Sequence, residues 1–364
     1  MEGIGMGFKE YSKNLSFMDV ELRRILGNSR TQKFLSEMNA SIDWDPIEAI
    51  LLETYPVGKA DCGNRAYPPL MLLKALLVQK WFGIDSDPEL ENQINDRLSF
   101  KIFMGLPLAK PSPDHSIICR FRERVGKETI DRIHHELLIQ FQAMGLSIES
   151  GMAVDARIVR SASKPVSTKK LEAFREQRQG DEGQTDLHGN PVKFQRDVES
   201  DWVVKNDTPY FGMKEHAAID VKSGLVVSSL ITPASQNDTN HLQAVVVKGL
   251  HGEELPPKVY ADKGYCSKKN RRFLTMNGIR DGIMRKDQVN AKLTEREIKR
   301  NRGISKIRYK IEQYFGLSAL EQEAGQARFT TLAKEGWNRL CGVIAFNCKR
   351  VLLTLRREKA LVSA

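Results

Sequence analysis

The chain has few residues that would tie it down covalently or through a structural metal. Its 364 residues include five cysteines, Cys62, Cys119, Cys266, Cys341 and Cys348. They are widely spread, form no CxxC pair and have no accompanying histidine pair, which argues against a structural zinc. An odd count without a signal peptide fits a reducing compartment, where thiols stay free. Long hydrophobic runs are also missing. The most apolar stretches, 70–78 and 340–355, are interrupted by Lys74 and by Asn347, Lys349 and Arg350. Neither can span a bilayer. There is no internal repeat.

What is present describes an ordinary folded protein with an uneven charge. Hydrophobic residues make up 41% and charged residues 28%, and the chain is long enough for two or three domains. The formal net charge is +10, and its distribution says more than its total. From Lys263 onward there are 24 Lys and Arg against 9 Asp and Glu, while the first 262 residues carry a small acidic excess. A basic C-terminal third favours a polyanionic partner, nucleic acid being the commonest. A solvated basic helical surface is the competing reading.

Three acidic residues stand in unusual local sequence. Asp155 in MAVDARIV interrupts a short apolar strand, and Asp262 in KVYADKGY closes a second one before the turn at Gly264. A carboxylate inside a buried strand costs several kcal/mol unless a cation or hydrogen bonds compensate it. Glu312 has helical surroundings, with Ile304, Ile307, Ile311 and Phe315 forming an apolar stripe. Arg308 and Glu312 lie four residues apart, the spacing of an ordinary i,i+4 ion pair.

The coarse organisation runs from helices to a mixed α/β region. Residues 1–45 are ambiguous. A helix opens at Pro68 and runs to Gly83, the S-x-x-E box at 86–89 opens a second that reaches Phe103, and a third follows PSPDHS, capped by Ser112 or Asp114. The third presents Ser116, Arg120, Arg124 and Lys127 on one face, a candidate for phosphate or groove contact in a helix-turn-helix-like arrangement. A solvated basic face is the alternative for any one of them. A fourth helix spans 130–144. Residues 164–207, including RQGDEGQTDLHGN, read as an exposed polar loop. Strands at 211–220 and 225–232 follow, then a helix at 241–250, the strand with Asp262, a helix at 268–276, a strand at 279–284, the Glu312 helix, and a last helix at 332–357. Strands followed by strand-helix alternation imply a mixed sheet.

These segments resemble bacterial DDE transposases of the insertion-sequence-five family over most of the chain. The block AYPPLMLLKALLVQKWFGIDSDPELENQINDRLSFKIFMGLPLAKPSPDHSIICRFRERV is similar to that family's helical N-terminal domain. The likeness continues through VDARIV, RDVESDW, YFGMKEHAAIDVKSG, ITPASQNDTNHL, YADKGY, IRYKIEQYFG and ARFTTLAKEGWNRL. The resemblance implies an N-terminal segment at 1–45, a helical DNA-binding domain at 46–145, and a ribonuclease-H-like catalytic domain at 150–357. In that fold the first strand bears the first aspartate, the fourth the second, and a late helix the glutamate. Asp155, Asp262 and Glu312 would then be the catalytic, metal-binding triad, holding two Mg²⁺ or Mn²⁺ ions.

The same resemblance implies cleavage at inverted-repeat transposon ends, transfer of 3′-hydroxyl ends to target DNA, a homodimer on double-stranded DNA, and a bacterial cytoplasmic, nucleoid-associated location with no membrane role. Two alternatives remain: a metal-dependent nuclease without strand joining, and a non-catalytic DNA-binding derivative. Relatives often carry a tyrosine three residues before the arginine and a lysine seven after the glutamate. Here those positions are Ser305 and Ala319, so DNA contacts fall to Arg308 and, in the next block, to Arg328 and Lys334. Second-rank polar residues are His216 and Asp220, paired on one face of a strand, and Asp238, a turn or cap residue or a fourth acid near the site.

Overall fold

The computed structural model describes residues 7–11, 17–27, 29–58, 64–146, 151–181, 194, 196–249, 255–287 and 291–362. The chain forms two compact units, Met1–Ser147 with Leu340–Ala364, and Ile148–Arg339.

The first unit is helical. Its elements are α1 (Phe17–Leu26), α2 (Arg30–Ala40), α3 (Asp45–Thr54), α4 (Pro69–Trp81), α5 (Asp87–Asp96), α6 (Leu98–Met104) and α7 (His115–Ala143). Three helices thus occupy or begin in the first 45 residues, where local patterning is indecisive. Tertiary burial of Leu35, Met38 and Ile47 supplies what propensity lacks. α4 is surrounded on nearly every side, with Met71 through Gln79 all buried, so its sequence shows little amphipathic alternation. Lys74 lies in that buried run. Its ammonium donates to Asn39 Oδ1 at 2.8 Å and sits 4.3 Å from the Trp44 ring centroid.

Two helix boundaries differ from the sequence pattern. The helix expected from 86 to Phe103 is two, because Arg97 adopts extended backbone (φ −102°, ψ 101°) between α5 and α6. The third and fourth expected helices join as α7, with a kink at Gly126, whose φ of 70° favours glycine. That kink takes Lys127 off the regular helical face shared by Ser116, Arg120 and Arg124.

The second unit is a six-stranded mixed sheet with helices. Its elements are β1 (Met152–Arg160), α8 (Thr168–Asp181), β2 (Asp201–Lys205), β3 (Thr208–Asp220), β4 (Val226–Pro233), α9 (Leu242–Lys248), β5 (Lys258–Ala261), α10 (Lys268–Met276), β6 (Arg280–Ile283) and α11 (Glu295–Gln322). The strand order is β2-β3-β1-β5-β6, with β4 also paired to β3. β1 is antiparallel to β3 and parallel to β5, and β5 is parallel to β6. This is the ribonuclease-H-like arrangement.

The polar stretch 164–207 is therefore only partly loop, since it contains α8 and β2. Residues 182–193, which include most of RQGDEGQTDLHGN, lie outside the described residues. β2 pairs with β3 from Asp201↔Gly212 to Lys205↔Thr208. This added strand makes the one leading to Asp262 the fifth in chain order rather than the expected fourth.

A last helix, α12 (Leu332–Val362), starts in the sheet-bearing unit and continues into the helical one. The structural division at Arg339 differs from the boundary at 357 inferred from sequence. From Leu340 the helix buries Val343, Ile344 and Val351, and Ala345 O accepts the Trp81 indole N–H at 2.9 Å.

Candidate active site

The sheet register brings the two aspartates together. In the parallel pair β1 and β5, Val154 stands opposite Ala261. Asp155 and Asp262, the next residue on each chain, therefore leave neighbouring strands side by side, about 5 Å apart at their backbones. Asp262 ends its strand and caps the following turn, its Oδ1 accepting from Gly264 N at 2.7 Å. Asp155 is mostly buried. Its Oδ1 accepts from Ala156 N at 2.9 Å and its Oδ2 from Arg308 Nη2 at 2.5 Å.

Arg308 is the residue that links α11 to this pair. It is 7% exposed, and its guanidinium pairs with Asp155 across the fold, which replaces the i,i+4 pair with Glu312 that spacing alone permits. Burial holds the Asp155 carboxyl above its usual range and the Asp262 charge adds to that, while Arg308 and the Ala156 N–H oppose it. Two like charges on adjacent strands are thus held together, with Arg308 paired to Asp155.

Glu312 lies one helical turn beyond Arg308, next to the buried Ile311, and is itself exposed. Among the described residues, the one group of three acidic, histidine or cysteine ligand atoms within 4.8 Å of one another is Glu91, Asp114 and His115 in the helical unit. Asp155, Asp262 and Glu312 do not reach that closeness. The local donor set still suits a hard divalent ion: Asp155 and Asp262 offer carboxylate oxygens. The Tyr265 hydroxyl, 1% exposed and without a hydrogen-bond partner, is held above its usual pKa by burial and by Asp155, Asp238 and Asp262.

Beside the pair opens a cleft of about 500 Å³, with Lys263, Arg285, Lys286 and Arg308 in its lining. Ser305, which stands where relatives often have tyrosine, lines the same cleft. Ala319 is exposed. Arg328 and Lys334 lie beyond α11, where Glu335 accepts the Arg328 N–H at 2.9 Å. Lys334 is exposed.

Sequence reasoning missed the network that fixes α11. Glu215, on β3, is fully buried and bonds Arg157 Nε at 2.8 Å, Tyr314 Oη at 2.8 Å and Ser229 Oγ at 3.0 Å. Arg157, on β1, also donates to Phe315 O and Ser318 Oγ, both at 2.9 Å. The alternation of β1 carries a signal, since Arg157 lies two residues from Asp155 on the same strand face. Burial would raise the Glu215 pKa, but Arg157 and Arg339 outweigh it and hold the group below the ordinary 4.5.

The second-rank residues have separate roles. His216 contacts Thr232 Oγ1 at 3.0 Å and stacks on His241 at 4.6 Å. Burial first, then His241 and Lys214, push its pKa down to about 3, so it is neutral near pH 7. Asp220 instead caps the turn after β3 through Ser223 Oγ at 2.7 Å, so the two do not work as a pair. Asp238 pairs with Lys214 at 2.8 Å. Its neighbour Thr239 donates to Gly264 O at 2.6 Å, fastening this segment to the Asp262 turn. In RDVESDW, Asp197 is a buried acceptor for Ser161 and Ser200, and Trp202 donates to Val166 O at 2.8 Å. That motif locks the edge of the sheet.

Side-by-side aspartates on neighbouring strands of a ribonuclease-H-like sheet crossed by a basic helix define a phosphoryl-transfer enzyme of the DDE class. Two family profiles match: the Transposase domain (DUF772) over residues 24–124, and the Transposase DDE domain over residues 147–318. The chain belongs to the DDE transposases. It combines the N-terminal transposase domain with the DDE catalytic domain found in insertion-sequence-four and insertion-sequence-five-like families. No solved structure matches it. The family generally uses divalent metal ions and acts on DNA. Among the described residues, no helix is long and apolar enough to cross a membrane.

Proposed function

We propose that this transposase cuts DNA at inverted-repeat transposon ends and joins the freed 3′-hydroxyl ends to target DNA, with Asp155, Asp262 and Glu312 as its catalytic carboxylates. The observation that carries this reading is the register pair Val154↔Ala261, which sets Asp155 beside Asp262. Asp155 and Asp262 would hold magnesium or manganese, and Glu312 would complete the set from α11. Two ions are proposed. Such ions would supply Lewis-acid stabilisation of the phosphoryl oxygens and would make the attacking hydroxyl more acidic.

In the first step a water oxygen forms a bond to phosphorus and the 3′ oxygen leaves with a proton. In the second, that 3′-hydroxyl attacks a target phosphodiester, loses its proton, and displaces the target's own 3′ oxygen. Arg308 orients Asp155 through its guanidinium, and the basic cleft beside Asp262 holds the phosphate backbone. Arg120, Arg124 and Lys127 in the helical unit, with Arg328 and Lys334 after α11, add backbone contacts. Two ends must be brought together, so the working form is proposed to be a symmetric homodimer on DNA.

The test combines cleavage and joining assays on a duplex made from the DNA flanking the coding region, with Mg²⁺ or Mn²⁺. Asp155→Asn and Asp262→Asn are expected to lose cleavage by about 10³-fold or more while still binding the duplex. Glu312→Gln should behave alike, and full activity in that variant would remove it from the triad. Cleavage without a joined product would reduce the assignment to a nuclease.

A further inference from the structure

The helical unit contains a cavity of about 650 Å³ whose cationic lining comes from three separate parts of the chain. The extended segment at Phe8 pairs with Ala66, through Lys9 N to Ala66 O at 2.7 Å and Ala66 N to Gly7 O at 2.8 Å. This pairing sets the Lys9 ammonium 3.6 Å from the Tyr67 ring centroid. Arg65 comes from the same bridge, and Arg120 and Arg124 come from successive turns of α7.

The lining contains these four cations and no carboxylate among its described residues. The ion pair that reaches in, Arg65 with Glu10, is long at 4.0 Å and exposed on both sides, a geometry that contributes little. Two of the guanidiniums are already oriented. Arg120 donates to Ser116 O at 3.1 Å and Ser116 Oγ at 2.7 Å, and the Arg124 side chain hydrogen-bonds the buried Tyr55. Glu10 and Asp114, which interacts with Arg120, offset these charges only from outside the lining, and converging cations repel one another and are relieved by an anion. Arg120 and Arg124 are exposed, so a duplex can reach them.

We propose that this cavity seats a backbone phosphate of transposon-end DNA, with Lys9, Arg65, Arg120 and Arg124 as its donors. The inference rests on the transposase reading, and it moves the phosphate contact from one helix face to a pocket closed by the N-terminal bridge. Lys127, beyond the Gly126 kink, is not part of it.

The experiment measures binding of the full chain to a labelled mixed-sequence 30-base-pair duplex by fluorescence anisotropy, in chelator, across about 50–200 mM salt. The Arg120→Gln/Arg124→Gln double variant should bind several-fold more weakly at intermediate salt, with the slope of log affinity against log salt reduced by about 1. Lys9→Gln and Arg65→Gln should weaken binding in the same direction, which makes the result independent of α7. Lys33→Gln, an exposed cation of α2, should leave the slope unchanged, and thermal melts establish that the variants are folded.

Tight wild-type binding with an unaltered slope in the double, Lys9 and Arg65 variants would overturn the pocket while leaving the transposase reading intact. Failure of the wild type to bind the duplex would overturn both. Inorganic phosphate is titrated as competitor. Competition in the millimolar range supports a subsite within a larger footprint. Micromolar phosphate binding that disappears in the variants, together with an unaltered DNA slope, would assign the cavity to a free anion and overturn the DNA assignment.

Discussion

Lys74 in the helical unit and Glu215 in the sheet unit are both buried charges, a cost in the first case and a structural tie in the second. Lys74 lies in the apolar packing of α4, where burial pushes its ammonium pKa down to about 8. One exposed amide and two aromatic faces meet it. Glu215 is buried more deeply in the catalytic unit, yet its carboxylate is favoured, because Arg157, Tyr314 and Ser229 all meet it. Desolvation acts on both groups, and the number and charge of the partners decide the sign. The helical unit coheres mainly by apolar contact, with one well-paired buried charge, Arg122 on Asp87. The sheet unit uses charge to pin α11, the helix that carries Arg308 and Glu312, across β1.

The largest expected effect is on that tie. Glu215→Gln leaves Arg157 buried without its counter-charge and should lower unfolding free energy by about 3–5 kcal/mol in urea titrations. Cleavage should fall as well, since α11 loses its anchor. The wild-type pH dependence follows from the depressed Glu215 pKa. Its stabilisation is fully present above the ordinary 4.5 and is lost as pH falls through the lower folded value. The Gln variant should lack that component, and an unchanged acid limb would separate Glu215 from the stability of the unit.

A divalent ion should sharpen the contrast next. Asp155 is held above its usual pKa by burial and by Asp262, a strain that a cation at the aspartate pair relieves. At saturating Mn²⁺ the gain is about 2–3 kcal/mol, seen as a rise of several degrees in melting temperature. The rise should vanish in Asp155→Asn. An equal rise in the variant would place the ion elsewhere.

Lys74→Met should act in the opposite direction, raising stability near pH 7 by about 1–3 kcal/mol. Because the folded pKa of Lys74 is depressed, wild-type stability should rise with pH between about 8 and 10.5, where the unfolded chain binds the extra proton. The Met variant should lose that rise. A destabilised Met variant would mean that the cation-aromatic contacts outweigh desolvation. The smallest effect concerns Arg328→Gln and Lys334→Gln. Each is expected to change melting by little and to reduce the salt slope of DNA binding by up to about 1.

Much of the site was legible because its parts lie in short local motifs. An aspartate inside VDARIV marks a strand and another closing KVYAD marks a strand end, and the stripe around Arg308 marks a helix. Long-range pairing was not legible. Nothing in residues 1–45 announces α1 and α2, and the apolar positions of α2 gain meaning only when Leu35 and Met38 are buried. The break at Arg97 and the kink at Gly126 are single-residue backbone events inside continuous helical patterns. The stretch 164–207 is polar enough to read as loop, yet β2 forms there because β3 offers it an edge.

The sequence by itself determined the family, the division into a helical part and a mixed sheet, the absence of a membrane-length apolar run, and the candidate carboxylates, since each is written in local pattern and composition. The tertiary structure alone decided which charges meet. It put Asp155 beside Asp262 through strand register, turned Arg308 toward Asp155 rather than along its helix, joined Arg157 to Glu215 over 58 residues of chain, and gathered Lys9, Arg65, Arg120 and Arg124 around one cavity. Coulomb energy depends on distance and on the surrounding medium, and folding sets both.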